Sequence, residues 1–330
     1  MEPIVAAIRW IGGNFLEVLA YPFNPKERIF LPYLATSLLL AVAVHRLAVR
    51  RAVAAGRAPV SLRQFLFPAE VWRARSAWLD VRYFFFHQIL RVFLYGTFSA
   101  ATAEAAFRAL GRAFGGAAGT PMTPSLDAAW PVAFGFSLAA AVVFDFTAWT
   151  IHFAQHKIPL LWEFHKVHHS AKVMHPLTNY REHPVDNVAY AAGLGLCTGL
   201  TAAAASAALG YVPPEPAVMG VSVFLFLYNA AGYNLRHSTI WLRWPGPLVY
   251  VFGCPAHHQV HHSRHPAHVD KNFAFMLPVW DVVFGTFVLP EDPADVSFGL
   301  ADADEPEFES CWGLYALPFL SALRLYRIRS

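Results

Sequence analysis

The stretch that decides the fold, residues 145–169, reads DFTAWTIHFAQHKIPLLWEFHKVHH. It begins inside an apolar run and contains five histidines within 18 residues. His152 and His156 are four residues apart, which places both imidazoles on one face of a helix, close enough to share a metal ion. Asp145 continues that face, and a carboxylate inside a membrane-length apolar segment needs a partner. We expect this partner to be a ligating imidazole, because a metal-bound histidine usually donates its other N–H to a nearby acceptor.

The composition indicates an integral membrane protein. Of the 330 residues, 56% are hydrophobic and 14% are charged, against about 25% charged in a typical soluble domain. The net charge is only +3, and the arginines cluster on loops, so they indicate membrane orientation rather than nucleic-acid binding. The three cysteines form no C-x-x-C pair, which argues against a disulfide framework or a zinc ribbon. Residues 1–20 are predicted to form an interfacial helix rather than a cleaved signal peptide.

The apolar residues are gathered into five segments that are predicted to cross the membrane: 29–49, 84–107, 129–151, 188–210 and 216–232. An arginine-rich loop follows the first segment and is predicted to be cytoplasmic. The last two segments are expected to form a hairpin that turns at VPPEP. Five crossings place the amino terminus outside and return both histidine-rich windows to the cytoplasmic face. A re-entrant first or second segment would leave the site on that face but move the amino terminus. The predicted fold class is an all-α integral membrane protein, four to five transmembrane helices with a cytoplasmic helical cap carrying a histidine-rich dinuclear metal site.

Histidine is concentrated in the chain to an unusual degree. Fourteen of the 16 histidines fall within 152–183 and 237–268. They form the boxes HFAQH, HKVHH and HQVHH, with a lone histidine ahead of the third box. Nine imidazoles are too many for one tetrahedral ion and suit two ions with four to five ligands each. The predicted metal ligands are His152, His156, His165, His168, His169, His237, His258, His261 and His262.

A metal carrier or sensor without turnover is the main alternative to an enzyme. Histidine-rich loops of such proteins tend to be disordered and irregularly spaced, whereas these boxes lie among tryptophans, prolines and apolar residues that should pack. The first box also lacks the glutamate of H-E-x-x-H, so the zinc-protease signature is absent. The two hypotheses differ on whether oxygen and a reductant yield a product.

The three boxes, in this order, resemble the fatty acid hydroxylase/sterol desaturase superfamily of membrane di-iron oxygenases. Asp145 is similar to the intramembrane acid that precedes the first box in that family. REHP (181–184) resembles its R-x-H-P element, DKNF (270–273) its D-x-N-Y/F stretch, and WDVVFGTF (280–287) its closing motif. The resemblance covers about 130–290. Tyr233 is a departure, because some members carry another histidine there.

The resemblance implies an oxidoreductase that uses O2 to hydroxylate or desaturate a lipid C–H bond in a sterol-like, fatty acyl or related lipid. It implies two Fe ions, although imidazole sites also accept Zn. Asp145, Arg181 and His183 are its candidate catalytic residues. Arg181 and His183 could support the metal ligands from behind or contact a polar group of the substrate, and His183 is also a possible substitute for the histidine absent at Tyr233. The sequence contains no nucleotide, haem or cluster motif of its own. A separate electron donor is therefore implied, such as a ferredoxin, a cytochrome or a reductase.

The lipid is expected to enter from the bilayer through a hydrophobic tunnel between helices. Aromatic residues could line this tunnel, although ordinary helix packing explains them equally well: Phe144, Phe146, Phe153, Trp162, Phe164 and Phe226. We expect the protein in a bacterial inner membrane, with the metal site on the cytoplasmic side. The predicted division is an N-terminal interfacial helix with two transmembrane helices (1–128), a catalytic domain (129–290) and a C-terminal cytoplasmic tail (291–330).

Overall fold

Helices dominate the computed structural model of the chain. It describes the backbone of residues 16–113, 125, 128–291, 293–300 and 308–327, with the side chains of these residues except 89–97, 113, 294 and 326–327. Most of the predicted interfacial helix at 1–20 therefore lies outside the described residues. Within the described part, β structure is confined to a hairpin, β1 (Ala217–Val218) paired antiparallel with β2 (Val221–Ser222).

The helices are, in chain order, α1 (Leu31–Ala54), α2 (Leu62–Leu66), α3 (Ala69–Trp72), α4 (Arg75–Ala113), α5 (Trp130–Lys157), α6 (Pro159–His169), α7 (Pro184–Leu209), α8 (Val223–Ala230), α9 (Leu248–Val251), α10 (Pro255–His261), α11 (Val279–Phe284) and α12 (Cys311–Arg327). Short 3₁₀ turns lie at Tyr21–Phe23, Pro176–Tyr180, Tyr233–Leu235 and Pro293–Asp295. The all-α prediction is confirmed.

Three helices, α1, α5 and α7, are long and apolar enough to cross a bilayer. They coincide with three of the five predicted segments, and the protein is an integral membrane protein. A fourth helix, α4, contains the predicted segment 84–107 and is 39 residues long. The chain therefore has four helices of membrane-spanning length within its described part.

The predicted crossing at 216–232 does not form. These residues fold as the β1–β2 hairpin and the eight-residue helix α8, which covers about 12 Å against the roughly 30 Å of a hydrocarbon core. Prolines at 213, 214 and 216 remove backbone donors, and Gly220 adopts a positive φ of 77°, so a continuous helix cannot run through. The five-crossing count is not reproduced, and the side of the membrane on which the site lies stays a prediction.

The packing of α4 against α7 brings the elements around the site together. The two helices approach closely because α7 presents Gly195 and Gly199 to the backbone of α4. A methyl group at either position would overlap the carbonyl oxygen of Ser99 or Ala103. Such small-residue contacts let membrane helices pack at short range. The close fit fixes α7, whose first turn faces the metal site.

The C-terminal segment packs directly on the histidine-bearing part of the fold. Helix α12 contacts α6 and α4, and Leu314 is buried in a cluster with Tyr83 and Val167. Val167 lies inside the second box. The predicted tail at 291–330 thus covers the outer side of α6, although residues 301–307 lie outside the described part.

Candidate metal centre

The nine predicted histidines converge in two groups. In each group one potential ligand atom per residue lies within 4.8 Å of all the others. Eight of the nine residues are buried, and the ninth, His156, exposes 5% of its side chain. The first group is His152, His156, His165, His169 and His261, and the second is His168, His237, His258 and His262.

The chain forms these groups by dividing both H-x-x-H-H boxes between them. Helix α5 ends just after the first box, and Pro159 starts α6 at once, a position where a missing N–H costs nothing. On α6, His165 and His169 share the face toward the first group, while His168 points to the second. The third box, at the end of α10, divides in the same way. Each H-x-x-H-H box therefore contributes to both groups, whereas both histidines of the first box, HFAQH, lie in the first group.

The distances between rings fit metal coordination. In the second group, Nε2 of His237 lies 3.4 Å from Nε2 of His168 and 3.1 Å from that of His258, which is 3.0 Å from that of His262. Two imidazole nitrogens bound to one ion at about 2.1 Å are separated by roughly 3.0–3.4 Å at bond angles of about 90–110°. The donor set therefore fits a metal ion.

The first group shows a second feature expected of a metal site, namely buried ring nitrogens without a hydrogen-bond partner. Four of its Nε2 atoms are buried and have no hydrogen-bond partner. Buried polar atoms are normally satisfied, so such a cluster needs an explanation. A shared metal ion would satisfy all of them at once, and imidazole donors suit iron or zinc. The four atoms belong to His156, His165, His169 and His261.

Most of the predicted ligands lie outside the membrane-spanning helices. Burial keeps six of these imidazoles neutral, which is the form that binds metals. It lowers the pKa of His168 to about 3, and the neighbouring His165 adds to the effect. Burial also holds the pKa of five further histidines well below the ordinary value, and the neighbouring imidazoles add to the effect, with Arg236 a further cause for His237, His258 and His261. The five histidines are His169, His237, His258, His261 and His262.

The DKNF loop, residues 270–273, orients three imidazoles of the first group. Asp270 and Asn272 have φ values of 57° and 56°, a left-handed conformation that Asp and Asn tolerate. In each of the three rings a loop oxygen lies beside Nδ1. This contact favours the tautomer with the proton on Nδ1 and leaves Nε2 available for a metal ion. The pairs are His152 Nδ1 with the Phe273 carbonyl at 2.8 Å, His261 Nδ1 with the Lys271 carbonyl at 2.8 Å, and His156 Nδ1 with the Asp270 carboxylate at 3.4 Å.

Asp145 does not have the partner that the sequence predicts. Its carboxylate accepts hydrogen bonds from the backbone N–H of Met276 at 2.6 Å and Leu277 at 3.0 Å, and from Nε1 of Trp280 at 2.9 Å. The expected bond from a ligating imidazole is therefore wrong for the described residues. Asp145 instead anchors the segment that follows the DKNF loop.

Asp281 has a comparable role that the sequence analysis missed. It is buried and accepts bonds from the backbone N–H of Phe273 at 2.9 Å and Ala274 at 2.8 Å. It also accepts from Nε1 of Trp149 at 3.0 Å and from the Thr286 hydroxyl at 2.6 Å. Its place in the WDVVFGTF motif was the available signal. A second missed residue is Asp186, whose carboxylate lies 3.3 Å from Nδ1 of His165.

The side chain of Arg181 faces away from the metal groups. It is 1% exposed, forms an ion pair with Asp80 and donates to Ser170 Oγ at 2.9 Å. Its backbone carbonyl, by contrast, lies 3.2 Å from Nδ1 of His168. Arg181 thus positions a predicted ligand through the backbone, and its side chain does not take the expected place beside substrate or metal.

His183 belongs to neither metal group. It caps α7: its Nδ1 accepts from the backbone N–H of Val185 at 3.1 Å, and its Nε2 lies 3.1 Å from the Tyr315 carbonyl. Because both ring nitrogens are engaged, His183 does not replace the imidazole absent at Tyr233. The Tyr233 hydroxyl donates to Oδ1 of Asn179 at 3.1 Å.

One cavity connects both groups to the membrane helices. Its volume is about 270 Å³, and five of the predicted ligands line it: His152, His165, His168, His237 and His258. The apolar part of its wall comes from Phe144, Ala148, Leu194, Leu225, Phe273 and Phe275. Of the predicted tunnel aromatics, Phe144 is in this wall, whereas Phe146 and Phe153 stack on Trp149.

About half of this chain is similar in sequence to known lipid-oxidising proteins. The alkylglycerol monooxygenase of Danio rerio is 30% identical over 179 residues, 53% of this chain and 35% of that protein. The ornithine lipid hydroxylase OlsE of Rhizobium tropici is 28% identical over 173 residues, 52% of this chain and 47% of that protein. The alkylglycerol monooxygenase of Caenorhabditis elegans is 27% identical over 177 residues, 52% of this chain and 32% of that protein. The matched part thus spans a third to a half of these relatives.

No solved structure matches the chain significantly. The family model described as fatty acid hydroxylase matches residues 137–286. This match contains all nine converging histidines, both anchoring carboxylates and the DKNF loop. The family match, the relatives and the order and convergence of the boxes agree, and together they support the assignment of residues 137–286 to the fatty acid hydroxylase superfamily.

Proposed function

We propose that this chain is a membrane-bound di-iron oxygenase that hydroxylates or desaturates a C–H bond of a lipid with O2. The observation that carries the proposal is the pair of imidazole groups, five and four, that border one cavity with apolar walls. A carrier or sensor has no need of an apolar cavity beside its metals. An enzyme that oxidises a hydrocarbon needs it to hold the substrate.

The nine imidazoles would hold the two metals, and bound iron would supply the activation of O2 that attack on an unreactive C–H bond requires. The protein's own part is to bind and orient. Backbone carbonyls at 181, 271 and 273, together with Asp186, keep the ring nitrogens aimed. Phe144, Leu194 and Leu225 place the hydrocarbon and exclude water from the reacting carbon.

Relatives and architecture both support a lipid substrate. The relatives are named for alkylglycerol and ornithine-lipid oxidation. The cavity wall includes residues of α5 and α7, two of the membrane-spanning helices. A lipid could therefore reach the metals sideways from the bilayer. A sterol-like, fatty acyl or related lipid is consistent with these features.

Electrons must come from another protein. Hydroxylation of R–H by O2 gives R–OH and water and consumes two electrons and two protons, while desaturation consumes the same two electrons and gives two waters. The sequence has no nucleotide, haem or cluster motif to supply them. We assign this role to a separate ferredoxin, cytochrome or reductase, which would reach the site from the cytoplasmic side of a bacterial inner membrane.

Lipid mass spectrometry tests the proposal. Lipids are compared from cells that express wild-type protein, His168→Ala, or His265→Ala as an exposed histidine outside both groups. We expect a lipid that has gained one oxygen or lost two hydrogens with wild type and His265→Ala, and its absence with His168→Ala. If no lipid differs between wild type and His168→Ala while both bind metal, the carrier hypothesis gains and the oxygenase proposal fails.

A further inference from the structure

The cavity has a polar corner that the metal groups do not use. Asn179 and Asn187 both line it, and each is 4% exposed. Nδ2 of Asn179 and Oδ1 of Asn187 have no hydrogen-bond partner. Buried amide atoms without a partner are uncommon and costly. Two of them on the wall of one cavity indicate that a ligand supplies the missing bonds.

The orientation of each amide is fixed by a partner whose role is unambiguous. The Nδ2 of Asn187 donates to Oε2 of Glu182 at 2.8 Å, and an ionised carboxylate only accepts. The Oδ1 of Asn179 lies 3.4 Å from Nη1 of Arg28, and a guanidinium only donates. Neither amide can be flipped without breaking these bonds. The corner therefore offers one donor, from Asn179, and one acceptor, from Asn187.

A charge-balanced network holds the corner in place. Arg28 donates to Oε1 of Glu182 at 2.6 Å and to the backbone carbonyl of Asn179 at 2.8 Å. Tyr83 donates to the backbone carbonyl of Glu182 at 2.8 Å. Arg28 and Glu182 form an ion pair beside the two amides, so neither of these two charges is left unpaired there. A preformed, neutral donor–acceptor pair favours an uncharged ligand group.

The corner lies beside the metal groups. Asn187 follows Asp186, whose carboxylate is 3.3 Å from Nδ1 of His165. Asn179 is two residues before Arg181, whose carbonyl is 3.2 Å from Nδ1 of His168. His165 and His168 line the same cavity as the two amides. A group bound at the corner would hold the carbons next to it close to the metal pair.

We propose that Asn179 and Asn187 form a subsite for an uncharged group that both accepts and donates a hydrogen bond, a secondary amide or a hydroxyl of an amphiphilic lipid. The Nδ2 of Asn179 donates to the carbonyl or hydroxyl oxygen, and the Oδ1 of Asn187 accepts from the N–H or O–H. The oxidised carbon then lies near this polar group rather than far along the chain. This inference rests on the proposed oxygenase function.

A series of ligands with one apolar chain tests the subsite by binding alone. The probes are a secondary amide, its N-methylated tertiary amide, the ester and the primary alcohol. Each is titrated without O2 into the full-length, metal-loaded protein in detergent. The secondary amide or the alcohol should bind about tenfold more tightly than the ester and the tertiary amide, because these leave Oδ1 of Asn187 unpaired. Whichever of the two binds more tightly identifies the natural group.

Variants locate the preference. Asn187→Leu should abolish the difference between secondary and tertiary amide, and Asn179→Leu should weaken the amides and the ester together. Asn229→Leu is the matched control, because Asn229 is also buried and lines the same cavity. It should retain the preference. Metal content and the thermal unfolding midpoint check that each variant is folded. If Asn187→Leu does not fold, the affinities of the wild-type protein for the four probes test the subsite on their own.

Equal affinity of the wild type for all four probes, or a preference that survives in Asn187→Leu, overturns the subsite. The oxygenase proposal fails separately. If cells make no oxidised lipid but the binding preference holds, only the oxygenase proposal is contradicted. If an oxidised lipid forms but all probes bind equally, only the subsite is contradicted.

Discussion

The backbone carbonyl of Phe273 lies 2.8 Å from Nδ1 of His152, 121 residues earlier in the chain. This contact ties the first histidine box to a loop that contributes no residue to either imidazole group. The loop is held in turn by Asp281, which accepts from the N–H of Phe273 and Ala274. The orientation of His152 thus depends on a carboxylate that touches neither metal group.

Replacing Asp281 should weaken metal binding without removing a ligand. In Asp281→Ala the N–H groups of Phe273 and Ala274 lose their acceptor, and the carbonyl that orients His152 is released. Loss of such an outer partner typically lowers metal affinity by about 10- to 100-fold. Competition with a chelator measures the change. Glu291→Ala, which removes an exposed carboxylate, should have the metal affinity of the wild type. An unchanged metal affinity in Asp281→Ala would show that the loop does not support metal binding.

Asp145→Asn should destabilise the fold. The aspartate accepts three hydrogen bonds in a buried position, and an amide cannot accept all three without facing one donor with its own. We expect a loss of about 1–3 kcal/mol, seen as a lower thermal unfolding midpoint in detergent. A stable variant that has lost its metals would instead favour a direct bond from Asp145 to a ligating imidazole.

Acid pH should destabilise the metal-free protein. Burial lowers the pKa of His168 to about 3 in the fold, whereas an unfolded histidine has a pKa of about 6.5. The unfolded chain therefore binds protons first as the pH falls below about 6.5, and stability declines from there toward pH 3. For His168 alone the loss reaches about 2 kcal/mol at pH 5. Unfolding midpoints between pH 7.5 and 5 measure it, and a flat profile would show that these imidazoles are accessible to protons in the fold.

The close contact between α4 and α7 should not tolerate a methyl group at Gly199. A Cβ there meets the carbonyl oxygen of Ala103 and the side chain of Ala106. We expect Gly199→Ala to lower stability by about 1–3 kcal/mol. Gly135→Ala is the matched control, because a Cβ at Gly135 meets nothing within 4 Å. Equal unfolding midpoints for the two variants would mean that the helices can move apart at little cost.

Local periodicity was sufficient to predict the helices of the first two boxes and the convergence of nine imidazoles. Helical spacing fixes which side chains share a face, and few arrangements bury so many histidines. The acceptors of their N–H groups could not be predicted in the same way. The shared helix face predicts that Asp145 accepts from an imidazole, but the acceptor for His152 is the carbonyl of Phe273.

Two further features that the sequence does not indicate also depend on distant or interrupted contacts. Arg181 pairs with Asp80, 101 residues earlier, and no local pattern links the two. The predicted crossing at 216–232 has the hydropathy of a span, but Pro216 and Gly220 interrupt its backbone. Hydropathy measures the preference for lipid and not the continuity of the helix.

The most direct test of the central claim is the number of metal ions per chain. Elemental analysis of protein purified from iron-supplemented cells should give two ions for wild type. His169→Ala, which alters the first group, and His258→Ala, which alters the second, should each retain about one, while His265→Ala should retain two. A single ion in the wild type, or two in both ligand variants, would contradict the account that two separate imidazole groups each hold one metal.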